Sequence, residues 1–139
     1  MGVPKEHYEA FLAHTKNIVP VENNRRDYNK YLCSCKIPLI FLSKINHDTY
    51  TSRCFEIPAA GAFIFCPYNE DMDSMFAENK EAVYYRTKEE FVEKLCYYLA
   101  HDDEREAIAK AGRERLLKDG HEAVDRAEQI IEAYKKFQM

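Results

Sequence analysis

The run NHDTYTSRCFEIPAAGAFIF, at residues 46–65, concentrates polar side chains just before an apolar stretch. Hydroxyl residues precede Arg53, and Glu56 follows three positions after it. Hydroxyls and a guanidinium donate hydrogen bonds to phosphate oxygens, whereas a carboxylate accepts them from sugar hydroxyls. This combination predicts a site for a nucleoside diphosphate.

Three apolar runs predict the strands that position this site: KIPLIFLS at 36–43, AFIFCP at 62–67 and AVYY at 82–85. Each run lacks the polar alternation of a half-exposed strand, so we expect the strands to be buried on both faces. Helical connections between them imply right-handed crossovers and a parallel sheet. The sequence therefore predicts an α/β domain with a short parallel sheet.

The last third of the chain is predicted to be helical, in three segments over residues 87–137. Thr87 and Glu90 have the spacing of a capping box at the first helix, and Gly120 follows the basic end of the second. A weaker amphipathic pattern predicts a helix at residues 4–15, followed by a short extended piece. A chain of 139 residues is expected to form a single domain, residues 1–139.

In a parallel sheet, ligands bind beyond the carboxyl ends of the strands, where the 46–65 run is expected to lie. Its helix should begin near Thr51 or Ser52, so that unpaired N–H groups and the positive end of the helix dipole face the crevice. No residue is assigned a catalytic role. The candidate ligand-binding residues are Lys44, Asn46, Asp48, Thr49, Tyr50, Thr51, Ser52, Arg53 and Glu56.

Each of these assignments has a simpler alternative. Arg53 and Glu56 have the spacing of an ordinary helix ion pair, worth a few tenths of a kcal/mol. Asp48 is typical of a helix cap, and loop solvation would account for Lys44 and Asn46.

Charge and cysteine usage exclude several other classes of function. The net charge of −4 gives no long-range attraction for nucleic acid or for an anionic membrane. Five cysteines without a CxxC pair or zinc spacing predict reduced, mostly buried thiols. The acidic DMD at residues 71–73 is typical of solvated surface, and there is no GxGxxG or GxxxxGK motif. We therefore expect no bound metal and no cofactor.

No segment approaches the roughly 20 apolar residues of a membrane span, and the first residues lack the apolar core of a signal peptide. The sequence thus predicts a cytoplasmic protein without a membrane partner.

Three segments, RCFEIPAAGAFIF, FAENKEAVYY and TKEEFVEKLCYYLAHDDEREAIAKAG, followed by an arginine-bearing helix, resemble the C-terminal domain of GT-B glycosyltransferases. The resemblance is to the group 1 type, particularly the spore-maturation (CgeB-like) group, and runs from about residue 27 to 134. It implies a Rossmann-like three-layer domain whose first polar loop and helix bind the nucleotide diphosphate. It also implies that Glu56 holds the ribose, with Asp48 at the position of the acid that retaining members carry eight residues earlier.

The resemblance implies the nucleotide-sugar-binding half of a glycosyltransferase. A complete enzyme of this type has a further N-terminal domain that holds the acceptor, so two alternatives stay open. One is a non-catalytic protein that captures a nucleotide or a nucleotide-derived signal. The other is a subunit that completes its site with another chain, either as a homodimer or with a partner acceptor domain.

Overall fold

Two short parallel strands form the centre of the domain. In this computed structural model, which describes residues 27–138, β1 (Phe65–Pro67) pairs with β2 (Val83–Tyr85), with Phe65 opposite Val83. Aromatic and β-branched side chains favour strands in both segments. The crossover between them contains a short helix at residues 70–75. The predicted parallel direction is confirmed for this pair.

The first predicted strand, residues 36–43, contributes only a single parallel bridge, between Leu39 and Phe65. Ile40 is buried, but Leu39 and Phe41 are 40% and 62% exposed. The prediction of a strand buried on both faces is therefore wrong for this segment. Pro38 explains the difference, because a proline has no N–H for the ladder and is confined to sheet edges.

Helices precede, connect and follow the strands. The segment after β2 is helical as predicted, and Thr87 accepts a hydrogen bond from the N–H of Glu90 at 3.1 Å. The carboxylate of Glu90 accepts from the N–H of Arg86 rather than from that of Thr87, so the capping box is shifted by one residue. The helices are α1 (Tyr28–Ser34), α2 (Arg53–Ala59), α3 (Glu70–Met75), α4 (Lys88–Ala100), α5 (Asp102–Lys118) and α6 (Ala123–Phe137).

Two apolar clusters cover the two faces of the sheet, because successive strand residues point to opposite sides. Phe63 and Phe65 belong to one cluster, and Ile64 and Cys66 to the other. The larger cluster comprises Leu32, Ile40, Cys54, Ile57, Ala62, Ile64, Cys66, Met72, Phe76, Ala82, Tyr84 and Leu116, and the smaller one Phe63, Phe65, Val83, Tyr98, Ile108 and Ala109. The predicted Rossmann-like three-layer α/β fold with a helical C-terminal third is confirmed. The helix and extended piece predicted before residue 22 lie outside the described residues.

The cysteines are free, as expected, but they are not mostly buried. Only Cys54 and Cys66 are in the core, whereas Cys33, Cys35 and Cys96 are exposed. Cys33 and Cys35 lie at and just beyond the end of α1, where the helix leaves the core.

Gly112 allows α5 to approach the backbone that precedes β2. A Cβ atom at this position would lie 2.5 Å from the carbonyl oxygen of Glu81. We expect Gly112→Ala to lower the free energy of unfolding by about 1–3 kcal/mol through overpacking, although the same change in an open helix would stabilise by about 1 kcal/mol. Chemical denaturation measures the difference. Glu114→Ala, at an exposed position of the same helix, is the control and should stay within about 0.5 kcal/mol of the parent.

Candidate functional site

The predicted binding loop begins with a tight turn organised by Ser43. The carbonyl oxygen of Ser43 accepts from the N–H of Asp48 at 3.1 Å, and its hydroxyl accepts from the N–H of Asn46 at 3.3 Å. His47 closes the turn with a φ of 53°, in the left-handed region. Lys44 and Asn46 are exposed at this turn.

The rest of the loop lies beside the carboxyl ends of the strands. Asn69, which follows β1, donates its side-chain amide to the carbonyl oxygen of Thr49 at 2.8 Å. Tyr85, the last residue of β2, donates its hydroxyl to the carbonyl oxygen of Ile40 at 3.4 Å. Parallel sheets bind ligands at this edge, because loops and helix N-termini converge there.

Helix α2 begins at Arg53, within two residues of the predicted start, with Ser52 as N-cap. Ser52 makes no side-chain cap bond. No described hydrogen bond connects the side chain of Asp48 to the helix, so the capping alternative is wrong for Asp48. The hydroxyl of Thr51 is buried and, among the described residues, has no hydrogen-bond partner. Since α2 has only seven residues and contains Pro58, its dipole is a weaker source of positive potential than the sequence suggested.

Glu56 pairs with a residue that sequence spacing did not indicate. Its Oε2 accepts a hydrogen bond from the Tyr28 hydroxyl at 3.1 Å, and no ion pair joins it to Arg53 in the described part of the chain. Burial, followed by the bond to Glu56, raises the pKa of Tyr28, so the phenol remains a donor at neutral pH. Tyr28 therefore orients the carboxylate while its second oxygen is left for other partners.

A groove of about 610 Å³ runs along α2 and has Glu56 in its wall. The end of α5, the turn after it and the first turn of α6 supply the opposite side. A recess of about 370 Å³ adjoins it, because both are lined by Phe55 and His121. The groove is lined by Phe55, Glu56, Ala59, Arg113, Leu116, Leu117, His121, Glu122 and Asp125, and the recess by Tyr50, Phe55, Met75, His121 and Arg126.

An aromatic cluster lies where groove and recess meet. The ring of Tyr50 meets that of Phe55 edge-on, with centroids 5.8 Å apart, and Phe55 lies 5.1 Å from the imidazole of His121. These rings supply apolar faces of the kind on which a planar base packs.

Arg126 fixes the protonation state of His121. A guanidinium nitrogen of Arg126 lies 2.7 Å from Nδ1 of His121. Because arginine only donates, Nδ1 must accept, and the neutral ring carries its proton on Nε2. Burial, and then the charge of Arg126, lower the pKa of His121, in agreement with this tautomer. The recess thus contains a neutral N–H donor beside a permanent cation.

Arg113 supplies a guanidinium to the groove itself. It donates to the carbonyl oxygen of Ala59, at the C-terminal end of α2, at 2.8 Å. This bond uses one nitrogen, and the side chain is exposed, so its other N–H groups remain available. One arginine thus lines the groove and the other lines its recess.

Of the nine predicted site residues, Glu56 lines the groove and Tyr50 lines the recess. The others, Lys44, Asn46, Asp48, Thr49, Thr51, Ser52 and Arg53, lie in the loop and helix start that lead to them. Sequence reasoning missed Tyr28, Phe55, Arg113, His121 and Arg126. The sequence signal that could have indicated the last three was the family resemblance, which continues through residues 113–126. No local spacing connects these residues with Glu56.

The acidic pair in DMD has a structural role. Asp71 and Asp73 lie in the first turn of α3, where negative charge is favourable, and Asp73 accepts a hydrogen bond from the N–H of Glu78 at 3.2 Å. Among residues 27–138, no cluster of three or more His, Cys, Asp or Glu side chains is arranged to hold a metal ion. None of the described helices is long and apolar enough to cross a membrane.

Comparison with known proteins gives one match. A protein-family model described as glycosyl transferase-like matches residues 5–132, which include both walls of the groove. No curated protein and no solved structure matches the chain.

Proposed function

Because the chain belongs to the glycosyl transferase-like family, we propose that the groove along α2 binds the nucleoside diphosphate part of a sugar donor. The observation that carries this proposal is the carboxylate of Glu56, held at the groove wall by the hydroxyl of Tyr28. A positioned carboxylate is suited to accept two hydrogen bonds from the vicinal hydroxyls of a ribose. In this proposal the domain is the donor-binding half of a GT-B enzyme of the spore-maturation type.

Residues near Glu56 are suited to bind the base and the phosphates of the ligand. The faces of Phe55 and His121 suit a nucleobase, because both are flat and partly buried. Arg113 and Arg126 suit phosphate oxygens, since guanidinium forks form charge-assisted bonds with them. Arg53, exposed at the start of α2, extends the donor set toward the loop.

The weakly acidic chain makes this local arrangement necessary. With a net charge of −4, the protein does not attract a diphosphate from a distance. The short α2 adds little from its dipole. Binding must therefore rest on side chains that converge on the groove, and substitutions there should have large effects.

A thermal-shift panel tests the proposal. We expect at least one of UDP, GDP, dTDP, ADP or their sugars to raise the Tm, because a ligand at 100 times its Kd stabilises by about 2.7 kcal/mol. The 2′-deoxy form of the best ligand should bind more weakly than the ribose form, since it lacks one hydroxyl for Glu56.

Inorganic pyrophosphate and the free nucleoside are the matched controls. A nucleotide that shifts the Tm no more than pyrophosphate does would contradict recognition of the nucleoside. A panel with no shift would contradict the proposed function itself.

A further inference from the structure

Helix α6 carries an apolar face that no other described residue covers. None of its side chains is buried, and Ile130, Ile131, Tyr134 and Phe137 are 70%, 51%, 62% and 90% exposed. Exposed apolar patches of this kind mark interaction surfaces.

The apolar residues of α6 have the spacing of a helix-pairing seam. Val124, Ala127, Ile131 and Tyr134 recur at intervals of three and four residues, as at positions a and d of a heptad. Ala123, Ile130 and Phe137 widen this seam on one side, and charged residues occupy the opposite side. The face is therefore built to pack against one long partner helix.

We propose that two copies of this chain form a dimer by pairing their α6 helices antiparallel through this face. One register satisfies every large side chain of the seam. Ala127 meets Tyr134 of the second copy and Ala123 meets Phe137, while Ile130 and Ile131 lie next to the two-fold axis. Small residues thus oppose aromatic ones, which lets the helices approach without voids. Because the pairing is two-fold symmetric, each contact occurs twice.

Charge along α6 selects the antiparallel direction. The first part of the helix carries Asp125 and Glu128, and its last turn carries Lys135 and Lys136. In the antiparallel pair Glu128 lies beside Lys135 of the second copy, at the border of the seam. A parallel pair places Glu128 and Lys135 of the two copies on opposite sides of the seam, so it forms no such ion pair.

The size of the face sets the strength of the dimer. A helix of 15 residues is about 22 Å long, so one helix pair falls at the low end of specific interfaces. We therefore expect an equilibrium between monomer and dimer that depends on protein concentration.

Sedimentation equilibrium of the full chain tests the pairing. The expected result is a shift from 16.4 kDa to twice that mass as concentration rises. Ile131→Glu should weaken association by roughly tenfold or more, because it buries a charge in the seam. Gln129→Glu adds the same charge to the opposite, exposed face of the same helix and should leave the association unchanged. Circular dichroism confirms that both variants retain their helices.

A charge exchange tests the direction. Glu128→Lys and Lys135→Glu should each weaken self-association, since each places like charges together in the antiparallel pair. Mixing the two variants should restore a dimer, because the introduced lysine of one variant then meets the introduced glutamate of the other. At the opposite end of the mixed pair, the unchanged Lys135 of the first variant meets the unchanged Glu128 of the second. A parallel pair does not predict this recovery.

A wild-type chain that stays monomeric would overturn the proposal, and so would a dimer that survives Ile131→Glu. If the monomer then loses thermal stability on Ile131→Glu but not on Gln129→Glu, another segment of the same chain covers the face. If neither variant changes the Tm of a monomer, the face belongs to a different protein.

Discussion

Replacing Glu56 with alanine should weaken nucleoside diphosphate binding by roughly 10- to 150-fold. A hydrogen bond to a charged group contributes about 1.5–3 kcal/mol, which corresponds to this range in Kd. The domain should remain folded, because Glu56 is exposed and its described bond is to the half-exposed Tyr28. Calorimetry with the best ligand of the thermal-shift panel measures the change.

The deoxy ligand identifies the hydroxyl contact. In the parent, the ribose form should bind more tightly than its 2′-deoxy form. In Glu56→Ala the two forms should bind equally, because the acceptor of that hydroxyl is gone. Tyr28→Phe keeps the carboxylate but removes its positioning bond, so we expect a smaller loss. If Glu56→Ala and the parent bind the ribose form of the ligand with equal affinity, Glu56 does not contact the ligand. Its role would then be limited to accepting the hydrogen bond from the Tyr28 hydroxyl.

The central sheet was predictable because its signals are local. The runs that contain β1 and β2 are apolar and aromatic, and the helical connection between them requires parallel pairing. Residues 36–43 have nearly the same composition, yet Pro38 confines them to an edge. The apolar pattern correctly indicated that this segment lies next to the sheet. Because Pro38 has no N–H, the segment forms only a single bridge to β1.

The candidate site was predictable only in part, because its walls come from distant parts of the chain. Spacing within 46–65 suggested that Glu56 pairs with Arg53 one turn away. The structure instead brings Tyr28 to Glu56 from 28 residues earlier. His121 reaches the groove, and Arg126 its adjoining recess, only through the packing of α5 against α2. No periodicity in a single sequence encodes that placement.

We expect the 139-residue chain alone to transfer no sugar at a useful rate. Positioning a donor and an acceptor together accounts for roughly 7–11 kcal/mol of the barrier in well-oriented reactions. The groove supplies groups for the donor alone in our proposal, and Glu56, Arg113 and Glu122 stand exposed along it. Nothing described on its open side holds an acceptor or keeps water out, which reaction of a bound donor requires.

Dimerisation through α6 would not change this expectation. The second copy adds an apolar seam and the lysines of its last turn on the side of α6 away from the groove, and these side chains offer no general base at neutral pH. Binding and turnover should therefore separate in this chain.

The measurement is release of nucleoside diphosphate from each donor sugar, with mixed acceptors, at protein concentrations below and above the dimer transition. Glu56→Ala is the matched control, because it removes the proposed donor contact without removing the fold. Tight binding with no release at either concentration is the expected result, and it would assign the chain to donor capture or to a site completed by an acceptor domain. Turnover that Glu56→Ala abolishes would contradict the prediction, because the donor groove alone, without a described acceptor side, would then suffice for transfer.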